Sequence, residues 1–173
     1  MKKDAQQLFQ LAVKALERAG ANSRMAEAAA RHLVAAEEQG LPTHGMSRVP
    51  FYCGMLKRGR ADGAAQPAMV TERGAVCLLD NRDGLPYVTA QWAVDDVIQR
   101  ARRNGIAFCG IRNSAHVGVM GIHLQPVAQA QLIRRPPSKI LPNTTPTSPP
   151  FSNKIRMRKS AHWKHSLLST RTA

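Results

Sequence analysis

Residues 75–111 read AVCLLDNRDGLPYVTAQWAVDDVIQRARRNGIAFCGI, and this stretch decides the fold. The apolar run at 75–80 predicts a strand, and Asp83-Gly84 predicts a turn. Residues 88–103 follow a helical period that Gly105 ends, and the apolar run at 106–111 predicts a second strand that is buried. A strand, a helix and a strand in this order form a βαβ unit, with parallel strands and a right-handed crossover.

Helical periodicity before this unit predicts three helices. They cover residues 4–19, a segment from Asn22 or Ser23 to Gly40, and a segment from near Pro50 to residues 57–59. Residues 69–71 and 75–80 flank a turn and predict a hairpin, and a last helix begins near residue 121. The fold class is therefore α/β or α+β, with amino-terminal helices followed by a βαβ unit. His32 lies on the second helix, where a histidine is typically packed or solvated and does not bind a ligand.

Two histidines fall on predicted loops. His44 belongs to Thr43-His44-Gly45, with Arg48 and Tyr52 close behind it, and His116 follows the second strand of the βαβ unit. Ligands of open α/β sheets gather beyond the carboxyl ends of such strands. Imidazole titrates near neutral pH and guanidinium binds a carboxylate through two N–H groups. These residues predict a site that exchanges a proton with an oxygen of a small anionic substrate.

The net charge of +14 is unevenly distributed. Residues 1–130 hold 16 Lys and Arg against 11 Asp and Glu, whereas residues 131–173 hold 9 Lys and Arg, no acidic residue, no glycine and 6 of the 11 prolines. A basic segment of this kind buries too little apolar surface to offset the entropy of ordering. We therefore expect one domain over residues 1–131 and a disordered, basic, Pro/Ser/Thr-rich tail over residues 132–173.

Several classes of protein are excluded by motif. No apolar run approaches the roughly 18 residues that span a bilayer, and the amino terminus lacks the apolar core of a signal peptide, so we expect a cytoplasmic protein without a membrane partner. The three cysteines are far apart and form no CxxC pair, and HExxH is absent, so we expect no disulfide framework and no metal site. Neither the GxGxxG of Rossmann folds nor a P-loop occurs.

A family resemblance rests on four segments in order. They are residues 41–52 (LPTHGMSRVPFY), 79–84 (LDNRDG), 105–107 (GIA) and 112–118 (RNSAHVG). Together they resemble the amino-terminal third of the malate/L-lactate dehydrogenase family, which includes ureidoglycolate dehydrogenase and diketogulonate reductase. The resemblance covers residues 4–131 and implies a non-Rossmann fold, NAD or NADP as the cofactor, a small 2-hydroxy or 2-keto acid as the substrate, and a homodimer.

The resemblance also assigns roles to residues. His44 matches a histidine that donates a proton in some members and His116 one that accepts a proton in others, while Thr43, Arg48 and Tyr52 match the substrate pocket. Ala115 stands where many members carry a polar residue, which leaves the hydrogen bonding around His116 open. Which histidine is the acid or base, which acid is the substrate, and whether the nucleotide is NAD or NADP stay open.

The family pattern is lost after residue 132, where a glycine-rich stretch and a GTNP motif are missing. A changed reading frame near residue 131 is one explanation, and a genuine basic extension is the other. We expect a truncated oxidoreductase that is inactive as a fragment. The alternatives are a small basic protein whose tail binds nucleic acid or an acidic partner, and a non-catalytic dimerisation remnant.

Overall fold

The computed structural model describes residues 4–132. Five α-helices lie in this range: α1 (Ala5–Arg18), α2 (Ser23–Glu38), α3 (Val49–Lys57), α4 (Tyr87–Asn104) and α5 (Met120–Gln129). The three strands are β1 (Ala68–Arg73), β2 (Val76–Asp80) and β3 (Phe108–Arg112). The helices, the hairpin and the βαβ unit predicted from periodicity are therefore present. The tail predicted over residues 132–173 lies, from residue 133 onward, outside the described residues.

Local signals in the sequence explain where the helices begin and end. The Asn22 side chain accepts a hydrogen bond from the Met25 N–H at 2.9 Å, which satisfies one free amide at the start of α2. Gly105 follows α4 with φ of 78°, a left-handed conformation that glycine adopts without steric cost. The predicted boundaries of both helices are thus confirmed to within a few residues.

The sheet has the order β1-β2-β3. β1 pairs with β2 antiparallel, and β2 pairs with β3 in parallel through the crossover helix α4. In the parallel register Cys77 faces Cys109 and Asp80 faces Arg112. The carboxyl ends of β2 and β3 therefore meet at one edge of the sheet, as the βαβ pattern predicts.

The core lies among the helices. Its largest fully buried apolar side chains come from α1, α2, α3 and the turn before α4: Leu16, Leu33, Tyr52 and Leu85. Burying one such side chain contributes roughly 1.5–3 kcal/mol, so this cluster fixes α2 against its neighbours. Within residues 4–132, no helix is both long and apolar enough to cross a membrane.

The prediction that residues 106–111 form a buried strand is wrong in one respect. Ile106 precedes β3 and is 73% exposed, and Phe108 within it is 66% exposed. The strand is formed and pairs with β2 as expected. It lies at the edge of the three-stranded sheet, so one of its edges has no neighbouring strand among the described residues.

Candidate active site

The turn that carries His44 consists of two short 3-10 helices, Pro42–His44 and Met46–Arg48. Hydrogen bonds inside the turn fix its shape: Ser47 Oγ donates to the Pro42 carbonyl at 2.5 Å, and Arg48 Nε donates to the Thr43 carbonyl at 2.8 Å. Pro42 begins the first of these turns, where its missing N–H costs nothing. The predicted loop is therefore an ordered double turn.

Helix α2 holds this turn from below. The Glu37 carboxylate accepts the Met46 N–H at 2.9 Å. A Cβ at Gly45 would lie 2.2 Å from Glu37 Oε2 and 3.2 Å from the Leu33 carbonyl oxygen, so the backbone can approach α2 only because residue 45 is glycine. The glycine after His44 is thus required by a close approach.

The segment that carries His116 leaves the carboxyl end of β3. Asp80 at the end of β2 anchors it, since its carboxylate accepts hydrogen bonds from Arg112 Nε at 2.9 Å and Asn113 Nδ2 at 3.0 Å. The Arg82 N–H and the Asn113 amide donate to this carboxylate and, with Arg112, hold the pKa of Asp80 below its usual value. The carboxylate stays charged near neutral pH and fixes the direction in which the chain leaves β3.

The two predicted histidines, His44 and His116, lie close to each other. The ring centroids of His44 and His116 are 6.2 Å apart and their planes are inclined by 34°. His44 is half-buried and His116 is exposed. The Arg48 guanidinium lies beside the His44 turn, because its Nε is bound to the Thr43 carbonyl. Among the described residues it forms no ion pair, which leaves its terminal nitrogens available to an anion.

The two imidazoles differ in their hydrogen-bond partners. The Gly118 N–H donates to Nδ1 of His116 at 3.2 Å, so this nitrogen is bare and the neutral ring carries its proton on Nε2. Nδ1 of His44 lies 3.0 Å from the Thr43 hydroxyl, which can either donate or accept. His44 can therefore change tautomer without losing its partner, whereas His116 cannot.

A layer of rings adjoins the His116 segment at Gly118; His32, Tyr52 and Tyr87 are buried and His123 is half-buried. The Tyr87 hydroxyl donates to the Tyr52 hydroxyl at 2.6 Å, and the His32 ring lies 4.9 Å from Tyr87 and 4.2 Å from His123. His32 Nε2 accepts the Val119 N–H at 3.0 Å. Burial lowers the pKa of His32 to about 4, helped by the neighbouring His123, and burial also lowers the pKa of His123. Both rings are therefore neutral near pH 7.

Tyrosine chemistry in this layer is suppressed. Desolvation, followed by the neighbouring Tyr52, raises the pKa of Tyr87 well above its ordinary value, and the Arg48 charge opposes this only in part. Tyr52 is 1% exposed. Tyr87 therefore keeps its proton at neutral pH, and the two tyrosines form a hydrogen-bonded floor.

The structure thus brings Thr43, His44, Arg48 and His116 together, and it places Tyr52 below them, out of reach of solvent. The sequence predicts His32 only as a packed residue and does not single out Glu37, Tyr87 or His123. Gly118 was part of the family motif, and its φ of 77° is the reason for a glycine there. No local signal in the sequence reveals the other contacts, because they join distant segments.

A nicotinamide dinucleotide needs hydrogen-bond donors for its phosphates, and the start of a helix is one place where proteins supply them. The amides before α5, a position suited to phosphate, are already used, because Gly118 donates to His116 and Val119 donates to His32. Within residues 4–132 no glycine-rich strand-to-helix turn offers another cradle. This part of the chain therefore shows neither of these two phosphate-binding arrangements. The same part contains no group of three His, Cys, Asp or Glu side chains placed to bind a metal ion.

Comparison with known proteins identifies relatives of this arrangement. The (2R)-3-sulfolactate dehydrogenase (NADP(+)) of Chromohalobacter salexigens is 38% identical over 123 residues, 71% of this chain and 37% of that protein. The malate dehydrogenase of Pyrococcus abyssi is 27% identical over 141 residues, 82% of this chain and 39% of that protein. This chain matches less than half the length of either relative.

Solved structures agree with these sequence matches. The malate dehydrogenase of Entamoeba histolytica superposes with a TM-score of 0.70 at 25% identity, over 75% of this chain and 36% of that one. Delta1-piperideine-2-carboxylate reductase of Pseudomonas syringae superposes with a TM-score of 0.71 at 26% identity, over 75% and 39%. Nothing in these relatives supports a nucleic-acid-binding protein.

A family model described as malate/L-lactate dehydrogenase matches residues 4–155. This range continues beyond residue 131, where the sequence predicts the domain to end, and that boundary stays a prediction. The match spans most of the 173 residues and includes every residue of the His44 and His116 segments. The chain therefore belongs to the malate/L-lactate dehydrogenase family.

Proposed function

We propose that this chain carries the acid–base and carboxylate-binding part of an NAD(P)-dependent dehydrogenase that acts on small 2-hydroxy or 2-keto acids. The observation that carries the proposal is the 6.2 Å separation of the His44 and His116 rings beside the unpaired terminal nitrogens of Arg48. A bound nicotinamide supplies the hydride chemistry. The described residues exchange a proton with the substrate oxygen and bind the substrate carboxylate.

His44 is proposed as the proton carrier. With its Nδ1–H donated to the Thr43 hydroxyl, its bare Nε2 can accept the proton of a substrate hydroxyl, and in the reverse direction the imidazolium returns it. His116 presents Nε2–H and is proposed to donate a hydrogen bond to the same oxygen without exchanging its proton, because the Gly118 N–H occupies its Nδ1. Arg48 is proposed to bind the substrate carboxylate through its two terminal nitrogens.

Tyr52 is proposed to support the pocket indirectly. Its hydroxyl is bound to Tyr87 and its side chain is 1% exposed, so it shapes the floor under Arg48 and His44 without contacting the substrate. Thr43 is proposed to act through its hydroxyl, which allows His44 to change tautomer. The resemblance assigns both Thr43 and Tyr52 to the substrate pocket, and the proposal gives each an indirect role in that pocket.

The first test is an assay of the 173-residue chain itself. Purified protein is mixed with NAD(H) or NADP(H) and malate, lactate, 3-sulfolactate or ureidoglycolate, and the nicotinamide absorbance is followed. We expect no turnover, because the match covers only 37% of the Chromohalobacter relative and 39% of the Pyrococcus relative. Turnover that His44→Gln abolishes would contradict this expectation and show that the cofactor site is built in another way.

The second test adds the part of a relative that this chain does not match. In a chimera, residues 4–132 of this chain are followed by the remainder of the Chromohalobacter relative. We expect turnover, a fall in kcat of about 10²–10⁴-fold for His44→Gln, and a raised KM for Arg48→Lys. Lys14→Gln on the exposed face of α1 is the control and should leave both constants unchanged. Full activity of His44→Gln would overturn the assignment of His44.

The homodimer, which the family resemblance implies, and the cytoplasmic location, which the sequence predicts, are also proposals. Light scattering on the chimera measures its mass directly, and a monomer would contradict the first. Fractionation of the source cells would test the second. The ratio of kcat/KM measured with NAD to that measured with NADP shows which nucleotide the chimera prefers.

A further inference from the structure

A buried histidine, His32, and a half-buried one, His123, hold the segment that follows His116. His32 on α2 is 5% exposed, and its Nε2 accepts the Val119 N–H at 3.0 Å. His123 on α5 lies 2.9 Å through Nε2 from the Val117 carbonyl, which can only accept, so that nitrogen carries a proton. The rings of His32 and His123 are stacked at 4.2 Å. The residues on both sides of Gly118 are therefore bound to imidazoles, one from α2 and one from α5.

Consecutive backbone amides point to different histidines. The Gly118 N–H donates to Nδ1 of His116, and the next amide, that of Val119, donates to Nε2 of His32. A Cβ at Gly118 would lie 2.7 Å from His32 Nε2, so the backbone rests directly on this ring. The two peptide planes meet at the Gly118 Cα, where φ is 77°. Holding the Val119 amide therefore fixes one of the two planes and leaves only the rotations at Gly118 to set the direction of the other.

The His32 ring can make this contact in one form only. A backbone N–H only donates, so His32 Nε2 must be bare and the proton of the neutral ring lies on Nδ1. Burial, which lowers the pKa of His32 to about 4, keeps the ring neutral near pH 7. The acceptor is therefore present throughout the neutral range.

We propose that His32 is a positioning residue: by holding the Val119 amide it directs the Gly118 amide onto His116 and keeps His116 in its Nε2–H tautomer. This inference rests on the proposed function, in which that Nε2–H binds the substrate oxygen. His32 does not itself reach the substrate. It acts across the fold, from a helix that precedes the sheet onto a loop that follows it.

The first experiment uses the wild-type 173-residue chain labelled with ¹⁵N and ¹³C. The ¹⁵N shifts of the imidazoles at pH 7 report which ring nitrogen is bare. We expect bare Nε2 in His32, bare Nδ1 in His116, and a scalar coupling across the hydrogen bond between Val119 N and His32 Nε2. A protonated Nε2 in His32 would overturn the proposal without any variant.

The second experiment compares two replacements of His32. His32→Gln retains an acceptor at the position of Nε2, whereas His32→Phe retains a ring and removes the acceptor. We expect the tautomer ratio of His116 to stay near wild type in the first and to fall about fivefold in the second, the effect of losing one ordinary hydrogen bond. An unchanged ratio in folded His32→Phe would overturn the proposal.

A matched control separates this effect from general loosening of the layer. Tyr87→Phe removes a hydroxyl at the same depth, close to Gly118, but leaves the Val119 acceptor in place. It should not change the tautomer of His116, and a shift as large as that of His32→Phe would contradict a specific role. If His32→Phe does not fold, the wild-type measurement decides alone. None of these readouts requires turnover, so failure of the proposed function and failure of this inference are distinguishable.

Discussion

Glu37 and His32 lie on the same helix, α2, and each binds a backbone amide of a different site segment. Glu37 accepts the Met46 N–H below the His44 turn, and His32 accepts the Val119 N–H below the His116 segment. The 6.2 Å separation of the two candidate catalytic rings is therefore set by one helix. Because both segments are bound to α2, a rigid α2 keeps the His44 and His116 rings in a fixed relative position. The residues of the whole sheet lie between these two segments in the sequence.

Gly45→Ala should displace the His44 turn from α2. The new Cβ would lie 2.2 Å from the Glu37 carboxylate and 3.1 Å from the Glu37 backbone nitrogen, and the second contact cannot be relieved by rotating a side chain. We expect a loss of about 1–3 kcal/mol in the free energy of unfolding, the usual cost of overpacking, together with displacement of the His44 turn. Urea denaturation and the NMR shifts of residues 42–48 measure the two effects.

Gly121→Ala is the matched control for this substitution. Gly121 lies in the first turn of α5, and nothing lies within 4 Å of the position that its Cβ would occupy. Alanine has the higher helix propensity, so the free energy of unfolding should rise or stay unchanged, by up to about 1 kcal/mol. If both alanine variants behaved alike, the close approach at Gly45 would not be the cause.

Thr89→Val tests the turn that follows β2 and leads into α4. Thr89 and Asn81 are buried, and the Thr89 hydroxyl donates to the Asn81 side-chain oxygen. Asn81 also donates its backbone N–H to the Arg112 carbonyl at the end of β3. Valine keeps the shape but leaves the Asn81 oxygen without this donor, which should cost about 1–3 kcal/mol in the free energy of unfolding.

Thr71→Val provides the comparison, since Thr71 is exposed on β1 and valine is well accepted in strands. Its free energy of unfolding should stay within about 0.5 kcal/mol of wild type. Urea denaturation of both variants at pH 7 gives the difference. A Thr89→Val protein as stable as Thr71→Val would show that the hydrogen bond to Asn81 is not needed.

Much of the fold could be predicted from the sequence because its signals are local. The apolar period of α4 and its Gly105 cap, together with the two short strands, specify the βαβ unit without knowledge of distant residues. The same reasoning placed His116 beyond the end of β3. The exposure of Phe108 could not be predicted in this way, because the burial of a strand depends on which strands lie beside it.

The candidate site was predicted only in part for the same reason. Thr43, His44 and Arg48 lie within one short segment, so their spacing alone suggested a common function. The contacts of His32 with Val119 and His123 join α2 to α5, and no periodicity in either helix records them. Their identification depended on the tertiary fold.

Cys77 and Cys109 are expected to be slow nucleophiles. They face each other on β2 and β3, and Cys77 Sγ donates to Asp96 Oδ2 at 3.0 Å. Burial, then the Asp96 carboxylate, raises the pKa of Cys77 to about 12, and burial also raises the pKa of Cys109. Since the thiolate is the reactive form, alkylation of Cys77 at pH 8 should be about 10³-fold slower than that of an ordinary thiol.

Mass spectrometry of peptides after timed alkylation measures this directly. The variant Gln39→Cys places a thiol at the exposed end of α2 and serves as the internal reference. Both thiols should react at similar rates once the protein is unfolded in urea. Equal rates in the native protein would contradict the burial and hydrogen bonding of Cys77.

The stability of the protein should depend on pH through His32. In the folded state burial lowers the pKa of this ring to about 4, whereas an unfolded histidine titrates near 6.5. The unfolded chain therefore binds more protons between these values, so the stabilisation is fully present above about pH 6.5 and is lost as the pH falls toward 4. We expect His32 to account for a loss on the order of 2 kcal/mol in the free energy of unfolding.

Urea denaturation of wild type and His32→Gln at pH 7.5, 6 and 5 gives the slopes. His32→Gln should be less stable at pH 7.5 but show a shallower decline, because glutamine does not titrate, while Lys14→Gln on the surface of α1 should follow the wild-type slope. Parallel curves for wild type and His32→Gln would mean that His32 is not held neutral by burial.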